Sequence, residues 1–318
     1  MIKGELFIGL IYILGQSRYF EYYFRGIRKA FPKSLIPVIR PKNLENIYDI
    51  DGNVLGKICG IFLKHYPEEK DEIVENTIKA LDSLKEEYIR SIIFEDRFLF
   101  NRKDLKLIEA RTNLKVIDGK KILLTFLPLA LKEIYSLLGE DSKNKEVLII
   151  GDDEKETKEI IEAIYKEVGF VTITGPYSKD IADNIYETIL EKTGLSIFYS
   201  KNIDKILKNY SIIINLIDDC SIDLSKIRKE AILFDFSASK GLKKNRVEKG
   251  RAIIEDFIFK EKNLKIKESK YLPTSVFSSM YEELADLNRG DLMGFYIDNN
   301  IYSIEEFIDK NIKNKGKL

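Results

Sequence analysis

Between residues 145 and 236 the chain alternates short apolar runs with segments of helical pattern. The apolar runs cover residues 147–150, 170–174, 195–199, 211–217 and 231–236. After the first run, apolar residues recur at helical spacing, at Ile160, Ile161, Ile164 and Val168, which is typical of a helix with one buried face. Regular alternation of buried strands and amphipathic helices predicts a parallel sheet with helices on both faces. This pattern constrains the fold more than any other feature of the chain.

The turn after the first apolar run lies where open α/β sheets bind nucleotides. In a dinucleotide-binding turn, glycines let backbone N–H groups approach a pyrophosphate at the start of the following helix. Here Gly151 is followed by three carboxylates, Asp152, Asp153 and Glu154. Their repulsion of a pyrophosphate should outweigh the ~0.3–1 kcal/mol that a helix dipole contributes. We therefore predict a Rossmann-like scaffold with no cofactor, in which acidic side chains narrow or occupy the cleft beside Gly151.

The patterns predict three parts. Residues 1–118 are expected to form a mixed α/β domain of the substrate-binding type, and residues 119–274 the Rossmann-like domain. Residues 275–318 are expected to form a helical tail that packs on the first domain. The predicted fold class is α/β: a Rossmann-like doubly wound parallel sheet, a mixed α/β N-terminal domain and a helical C-terminal tail.

Individual elements follow from the hydrophobic periodicity and the turn residues. Asp51-Gly52-Asn53 predicts the turn of a β-hairpin because an Asp-Gly pair favours such turns. The other main elements are strands at 7–14, 34–39 and 91–94 and helices at 16–31, 70–88, 120–138, 275–287 and 304–313.

Composition excludes several classes of function. The 318 residues include 52 Lys and Arg and 52 Asp and Glu, so zero net charge gives no electrostatic reason to expect a nucleic-acid partner. The longest apolar runs, 6–14 and 122–131, are shorter than the ~20 residues of a transmembrane helix, so we expect no transmembrane segment. The two cysteines are far apart in sequence, which favours the cytoplasm over a disulfide framework.

Cysteine and histidine suggest one candidate catalytic pair. Cys59 and the single histidine, His65, could form a nucleophile and base. The alternative, which we favour, is a buried and inert thiol, because Cys59 lies among apolar residues. Cys220 follows two aspartates that should raise its thiol pKa and reduce its reactivity.

Two acidic pairs stand at predicted carboxyl ends of parallel strands. Asp152 and Asp153 follow the first strand of the alternating region, and Asp218 and Asp219 follow the fourth. A divalent cation between the pairs is one interpretation. We favour the other, solvated acids at helix starts, and expect no metal.

Several short stretches resemble the cyanobacterial-type long-chain acyl-ACP reductases, a family near the glutamyl-tRNA reductases and shikimate-dehydrogenase-like proteins. The stretches occur in the family's order: F-I-G-L-I at 7–11, D-G-N-V-L-G-K at 51–57, S-I-I-F-E-D at 91–96, V-F-S-S-M-Y-E at 276–282 and G-F-Y-I-D-N-N-I at 294–301. The resemblance implies a protein that binds an acyl chain or acyl carrier protein. In the family, a cysteine becomes acylated and NADPH then releases an aldehyde.

The chain departs from the family at the positions that carry this chemistry. Ser279 stands at the position of the acylated cysteine, and a serine hydroxyl needs an adjacent base to act as a nucleophile. Gly119 belongs to Asp118-Gly119-Lys120, which replaces the family's T-G-N, and Pro176 replaces an arginine for the 2′-phosphate of NADPH. We therefore expect Ser279 to be inactive, and Gly119, Gly151, Asp152 and Asp153 not to bind a cofactor.

The sequence thus predicts a degenerate acyl-ACP-reductase-like protein that binds an acyl chain, an acyl carrier protein or a protein partner without NADPH-dependent reduction. An apolar tunnel of about 300–1,000 Å³ is expected from segments 7–14, 58–63 and 276–280. Two alternatives stay open: an active NAD(P)-dependent oxidoreductase with an altered cofactor site, and a regulatory or scaffold subunit of a true reductase.

Overall fold

The computed structural model describes residues 9–23, 40–63, 70–244 and 251–313. The chain divides into two compact units. The first contains the described residues of Met1–Asp118, Asn263–Thr274 and Glu283–Asp286. The second contains those of Gly119–Lys262, Ser275–Glu282 and Leu287–Leu318.

The first unit is built on a mixed sheet. Its strands are β1 Gly9–Leu14, β2 Lys42–Tyr48, β3 Val54–Gly60, β4 Ile89–Phe94 and β5 Lys115–Val116. Over the described ranges their order is β2-β3-β1-β4-β5, with only β2 antiparallel to its neighbour. The unit's helices are α1 Gln16–Tyr23, α2 Lys70–Leu84 and α3 Arg102–Thr112. Phe7 and Ile8 of the predicted first strand, residues 24–31 of the predicted helix and the predicted strand 34–39 lie outside the described residues.

The predicted hairpin joins β2 to β3. Gly52 has φ +94°, a left-handed conformation that glycine adopts without steric cost. The Asp49 carboxylate accepts hydrogen bonds from the backbone N–H of Asn53 at 2.7 Å and from its side-chain amide at 2.8 Å. These bonds lower the pKa of Asp49, the side-chain bond being the largest cause. The Asp-Gly turn prediction is confirmed.

The second unit contains the predicted parallel sheet. Helix α4, Lys120–Leu138, precedes it, with the bounds that the sequence predicts. The sheet and its helices are β6 Glu146–Ile150, α5 Glu154–Ile164, β7 Phe170–Thr174, α6 Lys179–Thr193, β8 Ile197–Tyr199, β9 Ile212–Asn215, β10 Ile232–Asp235, α7 Gly241–Lys244 and β11 Ile253–Ile254. Among the described residues, all strands of this sheet are parallel, in the order β11-β10-β9-β6-β7-β8. The α/β class with a Rossmann-like sheet is confirmed.

The C-terminal region contains strands that the sequence did not predict. β12 Asp256–Phe259, β13 Val276–Phe277, β14 Leu292–Ile297 and β15 Asn300–Ser303 form an antiparallel sheet in the order β13-β12-β14-β15. The two predicted tail helices are present as α8 Ser278–Leu284 and α9 Ile304–Asn311. Helix α9 packs on α4, β14 and β15, within the second unit. The three-part division at residues 118 and 274, with a tail that packs on the first domain, stays a prediction.

Buried aromatic rings connect α4 to the antiparallel sheet. Phe126 of α4 lies 4.8 Å from Phe259 and 5.8 Å from Tyr281 between ring centroids, and all three are buried. These contacts place α4 in the core of the second unit. None of the helices in the described ranges has the length and apolarity to cross a membrane.

Candidate functional site

The turn from β6 to α5 is held by its own acidic side chains. Asp153 is the N-cap of α5, and its carboxylate accepts a hydrogen bond from the backbone N–H of Glu156 at 2.9 Å. An N-cap carboxylate satisfies an otherwise unpaired N–H and interacts favourably with the helix dipole. Asp153 therefore stabilises the helix start.

The following carboxylates are ion-paired. Glu154 accepts hydrogen bonds from Lys158 at 2.6 Å and from the amide of Asn184 at 2.7 Å. Glu156 forms a salt bridge with Lys120, at the start of α4. Contacts with cations offset the mutual repulsion that we predicted for this turn.

A tyrosine, not a carboxylate, lies against Gly151. The Tyr177 hydroxyl oxygen is 2.5 Å from that of Thr157, and Tyr177 is only 4% exposed. A Cβ on Gly151 would lie 2.3 Å from the Tyr177 hydroxyl and 2.4 Å from the Thr157 hydroxyl, so a side chain there would have to displace these hydroxyls. The carboxylates of Asp153 and Glu154 are engaged in the helix cap and in an ion pair. That acidic side chains narrow or occupy the cleft beside Gly151 stays a prediction.

The loop that carries Tyr177 is fixed by a second tyrosine. The Tyr199 hydroxyl donates to the carbonyl oxygens of Gly175 at 3.3 Å and Tyr177 at 3.0 Å. The two rings meet edge to face, with centroids 6.1 Å apart. Gly175 has φ +151°, and a Cβ there would lie 1.7 Å from the Gly151 carbonyl oxygen. The loop after β7 thus lies directly on the turn after β6.

On the β9 side of the point where the strand order reverses, the buried carboxylate of Asp235 accepts hydrogen bonds at the carboxyl ends of β9 and β10. Asp235 accepts hydrogen bonds from the Asn215 amide at 2.9 Å, the Ser237 hydroxyl at 2.6 Å and the Leu242 N–H at 2.9 Å. The Lys240 ammonium donates to the carbonyl oxygens of Asp235 and Glu255 at 2.6 and 2.7 Å. Asn215 and Asp235 are fully buried.

Sequence reasoning did not select Asn215, Asp235, Lys240 or Tyr177. Asn215 and Asp235 are each the polar last residue of an otherwise apolar strand. This pattern could have indicated them, because residues at the carboxyl ends of the strands face the edge of an open sheet where ligands bind. Lys240 and Tyr177 give no comparable pattern, since their partners are distant in sequence.

Ser279 and Gly119, which the sequence singled out separately, lie together. A Cβ on Gly119 would lie 2.0 Å from the Ser278 hydroxyl oxygen and 2.5 Å from the Ser279 backbone nitrogen. Ser278 is fully buried and Ser279 is 6% exposed. The neighbouring Lys120 pairs with Glu156 of α5. The starts of α4, α5 and α8 are therefore linked by contacts inside the second unit.

The cysteines have properties of buried thiols. Burial raises the pKa of Cys59 to about 12, partly opposed by Lys57. Burial likewise raises the pKa of Cys220 to about 11, with a smaller contribution from Asp235. His65, the proposed partner of Cys59, lies outside the described residues.

The acidic pairs do not form a recognisable cation site. Asp218 accepts a hydrogen bond from the Ser239 N–H at 2.6 Å. Within the ranges that the structure covers, no group of three or more His, Cys, Asp or Glu side chains could hold a metal ion.

The first unit contains a small cavity at the carboxyl ends of β1, β3 and β4. Its volume is about 20 Å³, which is room for about one water molecule. Its lining includes Ile13, Leu14, Gln16, Ile61, Phe94 and Asp96. The larger acyl tunnel stays a prediction, since Phe7 and Ile8 of its expected lining lie outside the described residues.

The chain is similar, at low identity, to several solved dehydrogenases and reductases. No family model matches the sequence, and no curated protein matches it. The structure is similar to shikimate 5-dehydrogenase from Listeria monocytogenes in complex with shikimate and NAD (13% identity, TM-score 0.30, covering 74% of this chain and 79% of that chain). It is also similar to a shikimate dehydrogenase in complex with NADP+ (13% identity, TM-score 0.32, covering 77% and 84%).

A third similar structure is the Δ1-pyrroline-2-carboxylate reductase of Thermococcus litoralis in complex with NADH and L-proline (13% identity, TM-score 0.29). The match covers 37% of this chain and 36% of the reductase, so it spans about a third of that protein.

The prediction that the chain uses no cofactor is corrected by the topology of the second unit. The parallel sheet has the strand order of dinucleotide-binding folds, reversing between β6 and β9. The prediction considered only the charges of the turn, whereas Glu154 pairs with Lys158 and Asp153 caps α5.

Proposed function

We propose that this chain is an oxidoreductase-like protein that binds a nicotinamide dinucleotide in the crevice at the carboxyl ends of β6 and β9. The supporting observation is the strand order β8-β7-β6-β9-β10-β11, because open α/β sheets bind ligands where the strand order reverses. Gly151 stands at this point, directly after β6. When bound, such a cofactor supplies or accepts a hydride.

The turn as described does not fit a bound pyrophosphate. A pyrophosphate needs N–H groups at the start of α5, and the second glycine of a dinucleotide-binding turn lets the backbone approach it. Asp153 stands two residues after Gly151, where that second glycine would be, and its carboxylate is bonded to the N–H of Glu156.

A charge reversal at the turn tests the proposal. Asp152 is exposed beside Gly151, and Asp152→Lys changes the local charge by two units. At about 8 Å, water-like dielectric and physiological salt, this change favours the doubly charged pyrophosphate by about 1 kcal/mol, or about fivefold in Kd. The measurement is calorimetric titration of the wild type and the variant with NAD+, NADH, NADP+ and NADPH.

Glu187→Lys is the matched control, because Glu187 is an exposed acid on α6 and its reversal changes the net charge equally. We expect the control to leave Kd within twofold of wild type. An equal decrease of Kd in both variants would mean that only the net charge of the protein affects nucleotide binding. That result would remove the support for binding at the β6 turn.

The acyl ligand is the second part of the proposal. It is supported by the order of the family-like stretches and by the contact of Gly119 with Ser278 and Ser279. We propose an acyl chain or acyl carrier protein as the ligand of a degenerate reductase-like protein, with pairing to a true reductase as the alternative partner role. Native mass spectrometry of the purified protein tests this: a retained lipid mass supports it, and a bare chain that also fails to bind acyl carrier protein contradicts it.

A further inference from the structure

We infer that the start of α4 is a binding site for a small oxyanion, either a carboxylate or a phosphate group. Gly119 is the N-cap of this helix of 19 residues, and no side chain forms a cap hydrogen bond there. The first N–H groups of a helix have no partner within the helix, and together with the helix dipole they attract negative charge. The inference does not depend on a bound nucleotide, since it uses no residue of the β6 turn.

A buried hydroxyl group without a partner lies at this helix start. Ser278 is fully buried, and its hydroxyl oxygen has no hydrogen-bond partner among the described residues. The same oxygen lies 2.0 Å from the point that a Cβ of Gly119 would occupy. Since nearly all buried polar groups in folded proteins are hydrogen-bonded, the Ser278 hydroxyl indicates a ligand beside Gly119.

Backbone N–H groups add further donors around Gly119. The Ser279 nitrogen lies 2.5 Å from the same Cβ point. Lys121 and Ser279 are each the second residue of their helix, α4 and α8. Within the ranges that the structure describes, neither N–H group is bonded to a backbone acceptor. A hydroxyl group and these N–H groups can all donate to one negatively charged oxygen, and hydrogen bonds to a charged acceptor are the stronger ones.

The charges near the site favour an anion over a cation. Neither α4 nor α8 has an acidic residue in its first turn. The Lys120 ammonium is paired with Glu156, whereas Lys121 is exposed and forms no ion pair with any residue that the structure describes. Lys121 offsets the charge of Asp118, which precedes Gly119. The helix start itself therefore sets the sign of the preferred ligand, and that sign is negative.

The test is an NMR titration of the full chain with sodium phosphate and with sodium acetate, at constant physiological ionic strength. The amide signals of Lys121 and Ser279 report on the site directly. We expect both signals to shift and to saturate with one Kd for at least one of the two anions. Saturation with phosphate alone supports a site for a phosphate group, and saturation with acetate alone supports a site for a carboxylate.

Two pairs of variants test the residues that form the site. Ser278→Ala removes the hydroxyl donor and should raise Kd about tenfold or more, since a hydrogen bond to a charged group is lost. Its control is Ser239→Ala, because Ser239 is a buried serine of the same unit whose hydroxyl also has no partner among the described residues. Lys121→Gln should raise Kd about threefold, and its control is Lys132→Gln, at an exposed lysine of the same helix. Both controls should stay within twofold of wild type.

Circular dichroism first establishes that each variant is folded. A higher Kd in Ser278→Ala and an unchanged Kd in Ser239→Ala support the site. The inference is refuted if neither anion gives a saturable shift of the two amide signals, or if Ser278→Ala binds as tightly as wild type. If Ser278→Ala does not fold, equal Kd values in Lys121→Gln and Lys132→Gln refute it.

Discussion

The contact between Gly119 and the start of α8 makes a quantitative prediction about stability. Gly119 and Gly194 have similar left-handed conformations, with φ +80° and +73°. A Cβ on Gly194 meets nothing within 4 Å, whereas a Cβ on Gly119 lies 2.0 Å from the Ser278 hydroxyl oxygen and 2.5 Å from the Ser279 nitrogen. Alanine at either position therefore carries the same backbone strain, and only Gly119→Ala adds a steric clash.

The expected losses of unfolding free energy follow from the backbone strain and from the steric clash. A left-handed conformation costs a residue with a Cβ about 1–2 kcal/mol. Forcing a methyl group into a packed site costs about 1–3 kcal/mol more. We expect Gly194→Ala to lower the free energy of unfolding by about 1–2 kcal/mol and Gly119→Ala by about 2–5 kcal/mol.

Urea unfolding followed by circular dichroism measures both values, with the slope m checked for equality. The double variant Gly119→Ala with Ser278→Ala should recover part of the loss, since it removes the hydroxyl but not the Ser279 nitrogen. Equal destabilisation by the two single variants would show that α8 does not lie against Gly119 as described.

Three further predictions concern the buried groups of both units. Asp235→Asn should lower the free energy of unfolding by about 1.5–3 kcal/mol, because a buried acceptor of charged hydrogen bonds is lost. Asp223→Asn, at an exposed aspartate, is the control and should lower it by less; equal losses in urea unfolding would contradict this. Neither thiol should react with a disulfide reagent at pH 8 until the protein is denatured, because burial raises the pKa of Cys59 to about 12 and of Cys220 to about 11. These raised pKa values also imply stability that is complete below the ordinary thiol pKa of 9.0 and is lost as pH rises toward about 12; rapid labelling of the native protein would refute both statements. Incubation with acyl-CoA should add no acyl mass at Ser279, which is buried, and a mapped adduct there would show a working nucleophile.

The sequence predicted those elements whose signals are local. Helix α4 has its predicted bounds because its apolar run is flanked by Gly119 and Gly139, both in the left-handed conformation. The alternation of strands and helices predicted β6 to β10, since buried parallel strands are continuous apolar runs. Strands β12 and β13 were missed because their partners are distant in sequence. Strands β14 and β15 form a local hairpin whose turn, Asp298-Asn299, is left-handed, and this local signal was overlooked.

The error at the β6 turn has the same physical origin. The pairing of Glu154 with Lys158 could be predicted, since residues four apart on a helix are neighbours. The pairing of Glu156 with Lys120 and the position of Tyr177 could not, because each joins residues from different elements. Because the prediction considered only the residues of the turn, it treated the carboxylates of Asp152, Asp153 and Glu154 as unpaired.

Buried groups hold the loops on both sides of the point where the strand order reverses. At the ends of β9 and β10, Asp235 and Lys240 bind several fully buried partners, and breaking such a network leaves buried polar groups unsatisfied. After β7, the Tyr177 ring is 4% exposed and its hydroxyl is bonded to that of buried Thr157, so removing the ring leaves a cavity. Substitutions at Tyr177 and around Asp235 should therefore both lower the free energy of unfolding.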